Sequence, residues 1–250
     1  MEWRDEGIVL ALHRLGEHDA RLELLTPAHG RVFGVVKGGL SRKRRGSLQP
    51  GTTLDAHWRA RLETHLGVFT VEPKRVRTIA INGGPLRLDA MASCCLMTSL
   101  LLAERDAHPA IYDALEAVLD LLDSGAGDED PVQWVPAVIR FELGLLGDVG
   151  SGLDLTSCAA TGVTEDLVYV SPKSARAVSR AAGEPYHDRM LTLPSFLRGE
   201  GAACHRDLEE GLALTGFFLE RHLMAHDRRD GLPDVRHRFA RRIAAAASTG

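Results

Sequence analysis

The sequence predicts an α+β chain in two parts, a five-stranded β-barrel over residues 1–80 and an α-helical domain over residues 81–250 that is interrupted by an insert at 148–190. Three observations predict it. Up to residue 80, apolar residues alternate with polar ones or run in short β-branched stretches between turn signals. From residue 86 onward they recur at three- and four-residue steps. The charge also changes sign: residues 1–80 hold 14 Lys and Arg against 9 Asp and Glu, and residues 81–250 hold 16 against 25. Polyanion binding follows the local field, so a positive first third on an acidic remainder suggests two units with different partners.

Taken in order, Gly7–Arg14 is a first strand and Gly16-Glu17-His18-Asp19 a turn, followed by an alternating second strand at Ala20–Thr26. Pro27-Ala28-His29-Gly30 supplies turn chemistry before a β-branched third strand at Arg31–Lys37, and Thr52–Leu62 and Val68–Val76 complete five. A Greek-key barrel of the OB type closes five strands economically, with an SH3-like barrel as the near alternative. After the breaker cluster Asn82-Gly83-Gly84-Pro85, helices are expected at residues 86–103, 109–122, 131–146, 206–226 and 235–247. Residues 148–190 show no clear helical period.

Composition narrows the function classes. A chain of 250 residues with 44% hydrophobic residues and a net charge of −4 fills one or two ordinary cores, which disfavours disorder, collagen and coiled coil. The longest apolar stretch, Met91–Ala103, stops at Glu104, short of the roughly 20 residues of a membrane span. Acidic residues at Glu2, Asp5 and Glu6 stand where a secretory signal needs a basic start, so a cytoplasmic location is expected. The four cysteines Cys94, Cys95, Cys158 and Cys204 do not resemble a disulfide framework and read as reduced thiols, the first two as small apolar core residues.

The most informative segment runs from Lys37 to Gly51. It carries five basic residues, Lys37, Arg42, Lys43, Arg44 and Arg45, and no acid appears from 37 to 54. Glycines at 38, 39, 46 and 51 predict a flexible surface loop. Clustered guanidinium and ammonium groups suit phosphate oxygens, whereas the plain alternative is a solvated basic loop or a protein contact. Arg59 and Arg61, two apart, would share a strand face and extend the track, unless they are ordinary outward polarity. Trp3, Phe33, Trp58 and Phe69 are the aromatic residues of this region, and the sequence does not separate base-stacking platforms from core among them.

Catalytic and metal motifs are not found. No phosphate-loop, zinc-protease or nucleophile-elbow pattern occurs, Glu209 and Glu210 diverge on a helix, and no cofactor is implied. Cys158-Ala159-Ala160-Thr161 has Thr where the second cysteine of a C-x-x-C pair would stand, and His187, Cys204, His222 and His226 offer only single or paired ligands. A second basic cluster, Arg228, Arg229, Arg236, His237, Arg238, Arg241 and Arg242, is either an anion-binding surface or a C-terminal helix whose cations suit its dipole. Arg140, beside Phe141 on an amphipathic helix, could meet an acidic peptide with an apolar end.

Over its whole length the chain resembles the RecO family of bacterial DNA repair proteins. The resemblance is carried by Met1-Glu2-Trp3-Arg4-Asp5-Glu6-Gly7-Ile8-Val9-Leu10, Gly16-Glu17-His18-Asp19-Ala20, Leu25-Thr26-Pro27-Ala28-His29-Gly30-Arg31 and Leu48-Gln49-Pro50-Gly51. Arg140 to Leu146 and Leu153 to Cys158 continue it. It implies an OB-fold nucleic-acid-binding domain and a helical domain with a zinc-finger-like insert. It also implies a mediator of the RecF pathway that binds single- and double-stranded DNA, anneals strands and helps load RecA on SSB-coated DNA, without making or breaking a bond. The implied partners are RecR and the acidic, Phe-ended SSB tail, for which Arg140 is the matched position. Against the four-cysteine members, Thr161 takes the second ligand place and Ser179 and Ala182 fall near the third and fourth, so the insert is expected to be degenerate and metal-free. A protein-interaction adaptor and an RNA-binding OB protein are the competing functions.

Overall fold

The computed structural model describes residues 1–62, 64–79, 83–124, 130–226 and 231–247, without the side chains of Lys43 and Ala247. The chain forms two compact units, Met1–Gly127 and Asp128–Gly250.

The first unit is built on strands β1 (Glu2–Leu15), β2 (Asp19–Thr26), β3 (Gly30–Val36), β4 (Thr53–Arg59) and β5 (Val68–Arg75). They close in the order β1-β2-β3-β5-β4. β1 is long enough to serve two neighbours: its first half pairs with β4 from Glu2↔Arg59 to Ile8↔Thr53, and its second half with β2 from Ile8↔Leu25 to Leu15↔Asp19. A bulge between Val9 and Ala11 marks the second half, and the parallel pair Val35↔Val68 joins β3 to β5. This is the OB-type Greek key, and its parallel β3–β5 seam sets aside the SH3-like alternative. Val9, Leu22, Leu24, Val32, Leu54, Trp58 and Phe69 fill the interior.

Two long helices belong to the same compact unit. After the short α1 (Arg42–Arg45), helix α2 (Gly84–Leu101) starts at Gly84-Pro85, where proline suits the first helical turn, and α3 (Pro109–Ser124) follows. Arg31 ties barrel to helix, donating from Nε to the Leu102 carbonyl at 2.9 Å and pairing with the buried Glu23 at 2.9 Å. Ser99 donates to the same carboxylate at 2.7 Å. The buried Arg87 donates to the carbonyls of Leu121 and Leu122, a cation placed where α3 ends and its carbonyls lack intrahelical partners. Arg77 does similar work, reaching the Gly51 carbonyl, Thr53 and Asp120. Cys94 and Cys95 are buried in α2, and burial pushes the Cys95 thiol up to about 12.

The second unit packs α4 (Val135–Asp148), α6 (His205–His226) and α7 (Asp234–Ala247) around a polar centre. Glu142 and Arg236, each 1% exposed, meet at 2.5 and 2.9 Å, with Thr215 donating to Glu142 at 2.5 Å and Arg236 to the Leu212 carbonyl at 2.9 Å. The insert contains β6 (Leu167–Val170), β7 (Ala177–Ser179) and the short helix α5 (Arg180–Gly183), and β8 (Leu191–Thr192), just past its end, completes a small sheet in the order β7-β6-β8. Strands of two to four residues leave no period to read, which is why this stretch looked featureless in sequence.

At the edge of that sheet, Cys158–Gly162 makes a tight turn. The Gly162 N–H donates to the Cys158 carbonyl at 2.9 Å, and Gly162 lies at φ 75°. Ser179 points its N–H and hydroxyl at the Cys158 sulfur, at 3.3 and 3.5 Å. Burial by itself raises this thiol, but donors from Ser179, Thr161 and Ala160 outweigh it and bring it down to about 6. Among the described residues no three His, Cys, Asp or Glu come together as a metal-ligand set.

Candidate nucleic-acid interface

The basic segment departs from the expectation of a flexible loop. Ser41 opens a single helical turn, α1 (Arg42–Arg45), with its carbonyl accepting from the N–H groups of Arg44 and Arg45 at 3.0 and 2.9 Å. A 3-10 turn follows at Gly46–Leu48. Leu48 supplies the reason for this order: it is 1% exposed and belongs to the barrel core, so the segment is anchored at its far end. At the near end the Leu40 N–H donates to the His18 carbonyl at 3.1 Å, and Gly38 and Lys37 both engage Asp19. These contacts hold the Asp19 carboxyl below the usual range, Lys37 first and the Gly38 N–H second. Inside the turn, Ser47 and Gln49 bond the carbonyls of Arg44 and Arg45.

The predicted phosphate-binding residues therefore fall into groups. Arg42, Arg44 and Arg45 are exposed on one turn, and among the described residues no acid pairs with them. Arg44 is steered by a bond from Nη1 to the Lys37 carbonyl at 3.2 Å. Lys37 is engaged with Asp19 at 2.8 Å, so it shapes the turn as much as it adds charge. The Lys43 side chain lies outside the described residues.

Arg59 and Arg61 do not share a strand face, because β4 ends at Arg59 and Arg61 lies in the β4–β5 loop. They nevertheless line one surface cleft of about 610 Å³, beside His65 and Val68. Arg59 is paired with Glu2 at 3.1 Å. In the second unit, Arg140 is exposed, donates to the Phe196 carbonyl at 3.0 Å and covers the Phe196 ring at 5.2 Å.

The C-terminal cluster also divides. Arg236 is buried on Glu142 and is structural, while His237, Arg238, Arg241 and Arg242 are exposed on α7. Arg228 and Arg229 lie outside the described residues. His222 stacks on His226 at 4.3 Å and bonds Ser151 at 2.7 Å. Burial first, then the neighbouring His226, lower the His222 pKa.

Sequence reasoning missed Leu48 as the anchor of the basic turn, although a leucine among polar and basic residues was a visible signal. It also missed Arg105, which the fold brings over the Trp58 ring at 5.7 Å; nothing local marks it.

A five-stranded OB barrel with an anchored arginine turn, followed by a helical unit that carries a Cys158 insert, matches known families in both parts. The Recombination protein O N terminal family matches residues 1–76 and the Recombination protein O C terminal family residues 85–230. The chain belongs to the RecO family. Relatives named DNA repair protein RecO agree along the length: the protein of Cereibacter sphaeroides (strain ATCC 17029 / ATH 2.4.9) is 46% identical over 98% of this chain and 100% of its own. That of Ruegeria sp. (strain TM1040) is 47% identical over 98% and 99%, and that of Rhodopseudomonas palustris (strain BisB18) 48% over 96% and 92%. Among the described residues, no helix is long and apolar enough to cross a membrane.

Proposed function

We infer that this chain is a DNA repair and recombination mediator that binds single- and double-stranded DNA, anneals complementary strands and helps load RecA on SSB-coated gaps. The observation that carries this reading is the arginine turn Arg42–Arg45, held at one end by Asp19 and at the other by Leu48 on an OB barrel. Arginines held in place before binding gain from phosphate contacts and counterion release with little ordering cost. Phosphate contacts carry little sequence information, which suits a protein that must act on any gap.

Annealing follows from charge. Two strands repel through their phosphates, and a surface that neutralises both lowers that barrier without breaking a bond, so the chain needs no catalytic group. The arginine turn serves one strand and the exposed cations of α7 the other. Arg59 and Arg61 extend the first track, and the acidic, Phe-ended SSB tail meets the helical unit at Arg140. RecR is the second protein partner, and the bacterial nucleoid in the cytoplasm is the place of action. The test is anisotropy of labelled oligo-dT and of a duplex, together with annealing of complementary strands. Binding to both that weakens with salt, with accelerated annealing, supports the reading. A folded protein that binds neither at low salt overturns it.

A further inference from the structure

The barrel of the first unit ends in a group of flat rings. Trp3 lies parallel to His29, with centroids 4.1 Å apart and planes 11° apart, and to Trp58 at 5.7 Å and 14°. Phe69 meets Trp3 edge-on at 6.0 Å. Two of these rings are fixed by further bonds: His29 bonds the Asp5 carboxylate at 3.1 Å, and the Trp58 N–H donates to the carbonyls of Phe33 and Leu66, both at 3.2 Å. Gly67, at φ 68°, leaves room for this, since a Cβ there would stand 2.3 Å from the Trp58 indole.

Trp3, His29, Trp58 and Arg105 wall a cleft of about 460 Å³. That is the size of a small-ligand site and holds one base with its sugar, not a duplex. Arg105 is held in an unusual way. Its backbone sits at φ 63°, a region arginine seldom adopts. Its N–H donates to the Arg31 carbonyl at 2.8 Å, its Nη2 to the His65 carbonyl at 3.0 Å, and its guanidinium stands 5.7 Å from the Trp58 ring centre. Strain of this kind persists where the surroundings impose it, and it gathers at binding sites. The neighbouring cleft that carries Arg59 and Arg61 shares Met1 and Glu2 with this one. The Glu2 carboxylate between them is met by Arg59 at 3.1 Å, which counters its charge, and lies 3.7 Å from the His57 ring.

We propose that this cleft is a nucleobase site: it takes one unstacked base of a single strand against the partly exposed rings of Trp3 and His29, with the buried Trp58 as their backing, Arg105 over the base and Arg59 and Arg61 on the flanking phosphates. The proposal rests on the DNA-binding reading and deepens it. Every base has a π-face, so stacking here tolerates any sequence. A paired base must first be extracted from its stack, so the same cleft favours single strands over duplexes.

The experiment compares oligo-dT, an abasic oligonucleotide of equal length and charge, and a duplex, read by anisotropy and by tryptophan fluorescence. With the wild type, oligo-dT should quench the fluorescence and bind about tenfold more tightly than the abasic strand. Arg105→Gly removes the cation and relieves the left-handed backbone, so it folds; it should shrink the preference for bases and leave duplex affinity unchanged. Trp3→Leu, checked by its melting temperature, should do the same. Equal binding of oligo-dT and abasic strand without quenching overturns the base site while the DNA reading stands. No binding of any strand overturns the DNA reading itself. Quenching by a Phe-ended acidic peptide and not by oligo-dT overturns the proposal in favour of a protein occupant.

Discussion

Replacing Arg42, Arg44 and Arg45 together by glutamine isolates the charge of the turn from its shape. Glutamine is a good helix former, and the bonds from Ser47 and Gln49 go to the backbone carbonyls of positions 44 and 45, so they survive the change. The Ser41 cap and the Leu48 anchor are likewise untouched. Each phosphate contact on a single strand contributes about 0.7 to the slope of log affinity against log salt, so three lost contacts flatten it by about 2. Between about 50 and about 200 mM salt, a roughly fourfold step, the wild type should then lose about 20-fold more affinity for oligo-dT than the triple variant. Anisotropy titrations at four salt concentrations measure both slopes, and a thermal melt confirms equal folding. Equal slopes in the two proteins would refute the assignment of the turn as the phosphate clamp.

Other expectations follow from buried features. Glu142→Gln leaves the Arg236 cation uncompensated at a site 1% exposed and should cost about 3–5 kcal/mol, read as a lowered urea midpoint, whereas the double change Glu142→Leu with Arg236→Met should recover most of it. Gly30→Ala forces a left-handed residue at φ 65° and a Cβ 1.8 Å from the Asp106 carbonyl oxygen; a loss of about 3 kcal/mol in thermal melts is expected. Cys158 has a folded pKa depressed to about 6, below its ordinary 9.0. Its contribution to stability is therefore full above the unfolded value and is lost as pH falls through about 6. Cys158→Ala should flatten the rise of stability across that window, and thiolate absorbance near neutral pH should vanish with it.

The barrel was legible because its strands carry the period-two signal and their turns carry glycine and proline. Where sequence reading fell short, the missing information was pairing over long separations. β1 extends back to Glu2 because its first half finds β4, and nothing in Glu2-Trp3-Arg4-Asp5-Glu6 announces that partner. Arg236 read as one cation among several on a terminal helix, and only its meeting with Glu142, 94 residues away, makes it structural. Arg61 was placed on a strand that ends two residues earlier. The positions of the basic residues were plain, but the order imposed on them was not, because it comes from Leu48 reaching into a core assembled by other strands.

Leu48 lies within the barrel interior while its neighbours Arg42, Arg44 and Arg45 face outward, and this joins two equilibria. Any opening of the barrel that releases Leu48 also releases the turn, so a polyanion that prefers the ordered turn binds the closed barrel selectively. Mass action then works in both directions: ligand at about 100 times its dissociation constant adds about 2.7 kcal/mol to the barrel's resistance to unfolding. A lesion in the interior correspondingly weakens binding by the fraction of molecules that lose the closed form. Leu48→Ala is thus a change that no surface map would select, yet it should lower affinity for a strand it never touches.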